Sequence, residues 1–171
     1  MSGVLPNQDI ARMIAENEIA ATRKIIDAQI QPASLDLRLG STAYRVRASF
    51  LAGKGAHVMD RLSDFEMHQI DLGGGAVLEK GCVYVVPLME SLALPDDVQA
   101  VANAKSSTGR LDLLTRLITD EGTEFDRIAP GYHGPLYAEI CPRSFSVLVR
   151  PGMRLNQIRF RAGHAVLSYA E

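Results

Sequence analysis

Within six residues, Lys105-Ser106-Ser107-Thr108-Gly109-Arg110 puts two cations around a run of hydroxyls. Ser106 or Ser107 is expected to cap a short helix whose free N–H groups favour an anion. Lys105 and Arg110 add positive charge at either end, so the segment fits a phosphate cradle. It is not a P-loop, because the GxxxxGK[ST] spacing is absent. Either serine could be a nucleophile in principle, but there is no GxSxG elbow, and capping or ligand binding suits a Ser-Ser pair at a helix start better. The second chemical candidate is Glu139, inside the apolar run Leu136-Tyr137-Ala138-Glu139-Ile140-Cys141. Such a glutamate either points to solvent on the alternating face of a strand or sits in a pocket. In a pocket beside Arg110 it could work as a general acid and base. Metal chemistry finds no support in the spacing. His57, His68, His133, His164, Cys82 and Cys141 form no CxxC, HxxxH or HExxH pair, and the zinc-deaminase signature is missing. No protein-held metal is expected.

Charge adds a second hint. Between Glu139 and Glu171 there is no acidic residue, while Arg143, Arg150, Arg154, Arg159 and Arg161 all fall there. These arginines either complement a phosphate-bearing ligand or are solvated strand residues. Duplex nucleic acid is a poor fit, since the net charge is -2 and the pI about 6.1. Composition excludes other classes. A chain of 171 residues with 47% hydrophobic residues can build one core and is too apolar to be disordered. The apolar stretch from Gly81 to Met89 is far short of the ~20 residues of a membrane helix. Two cysteines and no visible export signal suit a reducing cytoplasm.

The elements that must position these residues are mostly short strands. A first helix is expected around Ile10, Met13 and Ile14, capped by Asn7 or Asp9. From Ser34 the period becomes two, with Leu35, Leu37 and Leu39 facing one way and Ser34, Asp36 and Arg38 the other. Residues 50–75, rich in glycine, look like loop. Further strands fit Ala76–Leu78, Cys82–Leu88, Val98–Ala102, Leu136–Ile140, Phe145–Val149 and Arg154–Phe160, separated by Pro and Gly turns. The pattern is that of one mostly-β domain over residues 1–171, an antiparallel barrel or sandwich with an N-terminal helix and one short internal helix.

Four segments together resemble the dCTP deaminases: Gln31-Pro32-Ala33-Ser34-Leu35-Asp36-Leu37-Arg38-Leu39-Gly40, the Lys105–Arg110 run, Pro130-Gly131-Tyr132-His133-Gly134 with Glu139 beyond it, and Pro151-Gly152-Met153-Arg154-Leu155 with Gln157. They occur in family order. The resemblance implies the distorted β-barrel and trimer shared with dUTP pyrophosphatases, and hydrolysis of the 4-amino group of dCTP to give dUTP and ammonia. It implies no zinc, with Mg²⁺ entering on the triphosphate. Glu139 would then shuttle the proton, Ser106 and Arg110 would help place the water and the carboxylate, and Lys105, Ser106 and Ser107 would contact the phosphates, with Gln157 near the nucleotide. Asp36 and Arg38, if buried, would find partners at a subunit interface.

The chain departs from the family in three places. Ala129 stands where an aspartate usually contacts the deoxyribose. The hairpin from Asp120 to Phe125 is longer, and the closing tail with Tyr, Lys and Gln is not seen before Glu171. The match is closest to the N-terminal copy in long, two-part bacterial members, so a homotrimer or a tandem pseudo-trimer is expected. Two other readings stay open: a non-catalytic nucleotide-binding or assembly domain, and a dUTP pyrophosphatase. The latter is opposed by Ala129, where those enzymes activate water with aspartate.

Overall fold

A computed structural model describes residues 2–163. In chain order it begins with β1 (Gly3–Val4), α1 (Asn7–Ala15), β2 (Ile19–Ala21), a 3₁₀ turn (Asp27–Gln29), β3 (Ile30–Gln31), β4 (Ser34–Arg38) and β5 (Thr42–Val46). Next come α2 (Val58–Phe65), β6 (Glu66–Asp71), β7 (Ala76–Leu78), β8 (Val83–Ala93), β9 (Val98–Ala104) and α3 (Ser106–Arg110). The rest is β10 (Leu113–Thr119), β11 (Arg127–Ile128), β12 (His133–Pro142), β13 (Val147–Val149) and β14 (Arg154–Ala162).

The strands form two antiparallel sheets around one core. In the first, β11, β9, β14, β4 and β3 lie side by side, with β1 added to β14. In the second the order is β10, β12, β8, β5 and β6, with β2 added to β8. β7 and β13 make a separate pair. Alternate residues of both sheets, among them Leu35, Leu37, Val86, Leu117, Ala138, Ile158 and Phe160, meet in the shared core. The sheets join at one corner, where Leu39 bridges Leu88 and Gly40 N–H donates to the Pro87 carbonyl at 2.9 Å. A Cβ at position 40 would lie 2.5 Å from that oxygen, so only glycine lets the backbones approach this closely.

β4 differs from the expected half-solvated strand, because all five of its residues are buried. Asp36 and Arg38 do carry buried charge, and both find partners within the chain. Arg38 Nε donates to Glu90 at 2.8 Å, and its two terminal nitrogens donate to the carbonyls of Lys24 and Arg23. Gln29 donates to the same glutamate. A buried ion pair is tolerated when its remaining hydrogen-bonding capacity is met in this way. The segment carrying Ile25, Ile26 and Ile30 is thereby pinned as a 3₁₀ turn and a short strand.

The helices also depart from expectation in detail. α1 buries Ile10 and Met13, but Pro6 occupies its N-cap, with Asn7 already in the first turn. Residues 50–75 are not all loop: α2 and β6 lie there. α2 buries Val58 and Leu62, four residues apart, over a second apolar cluster on the outer face of the second sheet. That cluster joins Val46, Phe50, Val85, Ile118 and Tyr137, and Phe50 stacks on Phe65 with centroids 4.7 Å apart. No helix among the described residues is long and apolar enough to cross a membrane.

Candidate active site

Glu139 lies on β12 between Val85 of β8 and Arg116 of β10 in register. Its neighbours Ala138 and Ile140 enter the main core, so period two turns Glu139 and Tyr137 to the outer face. That face is covered, and Glu139 is only 2% exposed. Oε1 accepts two bonds from Arg116, from Nε at 3.1 Å and Nη2 at 2.5 Å. Oε2 accepts one from Ser49 Oγ at 2.6 Å. Arg116 Nη2 also donates to Ser49 Oγ at 3.1 Å, which closes a ring of three side chains. Behind the guanidinium sits Phe125, with its ring centroid 3.7 Å from Cζ. Burial pushes the nearby Asp126 carboxyl above the usual carboxylate range, although it accepts the Leu117 N–H at 2.7 Å and feels the charge of Arg116.

The cation beside Glu139 is therefore Arg116. Arg110, named from the sequence for that place, is exposed at the end of α3 and its side chain makes no bond to the described residues. The start of β10 alone lies three strand residues, about 10 Å, from Arg116. No motif singles out Arg116 or Ser49. Arg116 could have been found from cross-strand pairing with Glu139 once β10 and β12 were aligned; Ser49 lies in a loop with no local signal.

The segment expected to cradle phosphate lies elsewhere, on the first sheet. Lys105, not Ser106 or Ser107, is the N-cap of α3, and no side chain caps the helix. Thr108 anchors the helix by donating to the Leu155 carbonyl at 2.7 Å. A cleft of about 320 Å³ is lined by Gln31, Asp36, Asn103, Lys105, Ser106 and Gln157. Lys105 Nζ pairs with Asp36 Oδ2, and Arg154 Nη1 approaches the same oxygen at 3.4 Å. Lys105 and Asp36 balance within the lining, and Arg154 brings a second cation to the same carboxylate from outside it, which suits an anion. The amide of Gln157 has one long contact, 3.5 Å to Ser34 Oγ. Ser107 and Arg110 do not line this cleft.

A larger cleft, about 540 Å³, lies beside the long hairpin and includes His57, Thr119, Asp120, Glu121, Ala129 and Tyr132. His57 Nδ1 is 3.1 Å from Asp120 Oδ2. Bonding to Asp120, and then its charge, raises the imidazole above its ordinary range. Burial raises the Tyr137 hydroxyl to about 12 and the Tyr132 hydroxyl further. Glu139 lines neither cleft. Among the described residues no three His, Cys, Asp or Glu side chains gather to hold a metal ion. Of the five arginines after Glu139, only Arg154 reaches the cradle; Arg143, Arg150, Arg159 and Arg161 are exposed. His164 and the chain beyond it lie outside the described residues.

The family of the 2'-deoxycytidine 5'-triphosphate deaminase (DCD) N-terminal domain matches residues 1–164. The dCTP deaminase of Haloarcula marismortui is 30% identical over 160 residues, covering 92% of this chain and 79% of that one. A dUMP-forming dCTP deaminase of Dictyoglomus thermophilum is 28% identical over 165 residues, with the same two coverages. The crystal structure of 2'-deoxycytidine 5'-triphosphate deaminase from Agrobacterium tumefaciens superposes with a TM-score of 0.94 at 57% identity. It is matched over 98% of this chain and 50% of its own, so this chain spans half the length of that protein. With a match from residue 1 to 164 and the four segments in order along the fold, the chain belongs to the dCTP deaminase family, in its N-terminal domain.

Proposed function

We propose that this chain binds a deoxycytidine nucleotide and takes part in hydrolysing its 4-amino group, with Glu139 as the proton carrier. The observation that carries this reading is a buried carboxylate, 2% exposed, held by a guanidinium on a rigid strand in a dCTP deaminase domain. Glu139 takes a proton from water as the water oxygen bonds to cytosine C4. The C4=N3 electron pair moves to N3, which takes that first proton back from Glu139. The hydroxyl proton then passes through Glu139 to the amino nitrogen, the C4–N bond breaks, ammonia leaves and the C4 carbonyl forms. The triphosphate lies in the cradle of Lys105, Ser106 and Gln157, accompanied by Mg²⁺ as part of the substrate; Ser107 joins from the exposed side of α3. Arg110 and Ser106 lie apart from Glu139 in one chain. They reach a Glu139 site only from a neighbouring copy or a tandem half, as a trimer or pseudo-trimer allows. No zinc takes part.

The test is purified protein with dCTP and Mg²⁺, following ammonia and nucleotide product. Glu139→Gln keeps the side-chain shape but cannot accept and return a proton. It is expected to lower kcat by roughly 10²–10⁴-fold with little change in KM. Full activity in that variant would show that another carboxylate moves the proton.

A second reading, a nucleotide-binding or assembly domain without chemistry, is favoured by Glu139 lining neither cleft and by Ala129 at the edge of the larger one. It is expected to bind nucleotide, weaken with Lys105→Ala and release no ammonia. A dUTP pyrophosphatase is disfavoured, because the Ala129 methyl group cannot activate water.

A further inference from the structure

The two oxygens bound to the Glu139 carboxyl carbon are not equivalent. A carboxylate offers about four lone-pair directions, two on each oxygen. Both on Oε1 are taken by Arg116, through Nε and Nη2. Oε2 has one bond, from Ser49 Oγ. The direction of that bond is fixed by chemistry. A guanidinium can only donate, so the Arg116 bond to Ser49 occupies an acceptor site of the hydroxyl and its proton must point to Glu139. One lone pair of the group is left, and it is on Oε2. Ser49, the donor to Oε2, is itself exposed, whereas Arg116 is backed by the Phe125 ring.

We propose that Arg116 and Ser49 are positioning residues that make Glu139 a one-sided base, with Oε2 as the oxygen that receives each proton of the water and passes it on, the first to N3 and the second to the amino nitrogen. Arg116 holds the plane of the carboxylate by saturating Oε1, and Ser49 sets the direction of the lone pair that remains. This rests on the deaminase reading for its proton transfer; the hydrogen-bond asymmetry does not.

The test uses the full chain and three variants, Ser49→Ala, Arg116→Met and Arg116→Lys, in two measurements. The first is steady-state turnover of dCTP with Mg²⁺. Loss of one hydrogen bond to a charged group should lower kcat about ten-fold in Ser49→Ala, and about a hundred-fold or more in Arg116→Met, with KM within about two-fold. Arg116→Lys should recover part of the loss, and added guanidinium should partly restore Arg116→Met. The second measurement is the infrared spectrum of each protein minus that of its Glu139→Gln counterpart, which isolates the Glu139 carboxylate stretch. Both Ser49→Ala and Arg116→Met should shift it. Unchanged or raised kcat in Ser49→Ala and Arg116→Lys would overturn the positioning role and make the ring a latch instead. If the unaltered protein releases no ammonia, the deaminase reading fails and the infrared arm still decides the asymmetry: a shift supports it, an unmoved band refutes it. Should Arg116→Met not fold, Ser49→Ala, at an exposed position, carries both measurements.

Discussion

Lys105 serves two roles. In the proposed cradle its charge would meet an anion, and in the fold it neutralises Asp36, which is buried and has an unpartnered Oδ1. Removing the ammonium leaves that carboxylate only Arg154, at 3.4 Å. Lys105→Ala is therefore expected to weaken nucleotide binding and also to lower stability by about 1–3 kcal/mol, the range for stranding part of a buried charge. Urea unfolding reads the second effect without ligand. A stability unchanged by Lys105→Ala would mean that Arg154 alone satisfies Asp36. At this scale the sequence showed where hydroxyls, cations and the glutamate lie, because residue type and spacing are local facts. It did not show that Asp36 and Arg38 are buried inside the chain. Period two assigns a residue to a face, and β4 is covered on both.

The elements around Glu139 form one covering layer, and it is stitched by the hairpin that the sequence marked only as long. Asp120 Oδ1 accepts the Val58 N–H at 2.8 Å and so caps α2; Glu121 N–H donates to Ala56 at 2.8 Å, and Gly53 N–H to Gly122 at 3.0 Å. α2 was hidden in a glycine-rich stretch because its cap comes from 62 positions away and its buried face is two residues wide. Strands such as β12, an unbroken apolar run, and β14, with its alternating end, were legible for the opposite reason: their pattern is complete within the strand. The other Asp120 oxygen faces His57 and makes this layer sensitive to pH. The imidazole is raised in the folded state, so its pairing stabilises fully below about pH 6.5 and is lost as pH rises through the folded value. An NMR titration of His57 should show the raised midpoint, moving down in high salt and in Asp120→Asn. A midpoint that ignores both changes would rule out Asp120 as its cause.

Across the whole molecule, the cradle belongs to the first sheet and Glu139 to the second, with Arg110 exposed at a surface. If a catalytic site unites them, it does so between domains. Mixing Glu139→Gln protein with Arg110→Ala protein should then restore activity that neither has alone, because some assemblies contain one intact site. Absence of any restoration after refolding the mixture would place all the chemistry within one chain. An assembly of copies would leave no mark in the strand pattern for a physical reason: a surface that meets a copy of itself obeys the same alternation as one that meets solvent. The core tells a different story in time. β14 pairs with β1, β4 and β9, and its far end joins Ala162 to Gly3. β1, β4 and β9 must therefore each wait along one edge for a strand made later than all three. Closing such long loops before any ladder can reward them puts folding in the slow range of non-local β topologies, about milliseconds to seconds. While the chain is still emerging from the ribosome, the edges of β4 and β9 stand open to any other strand nearby.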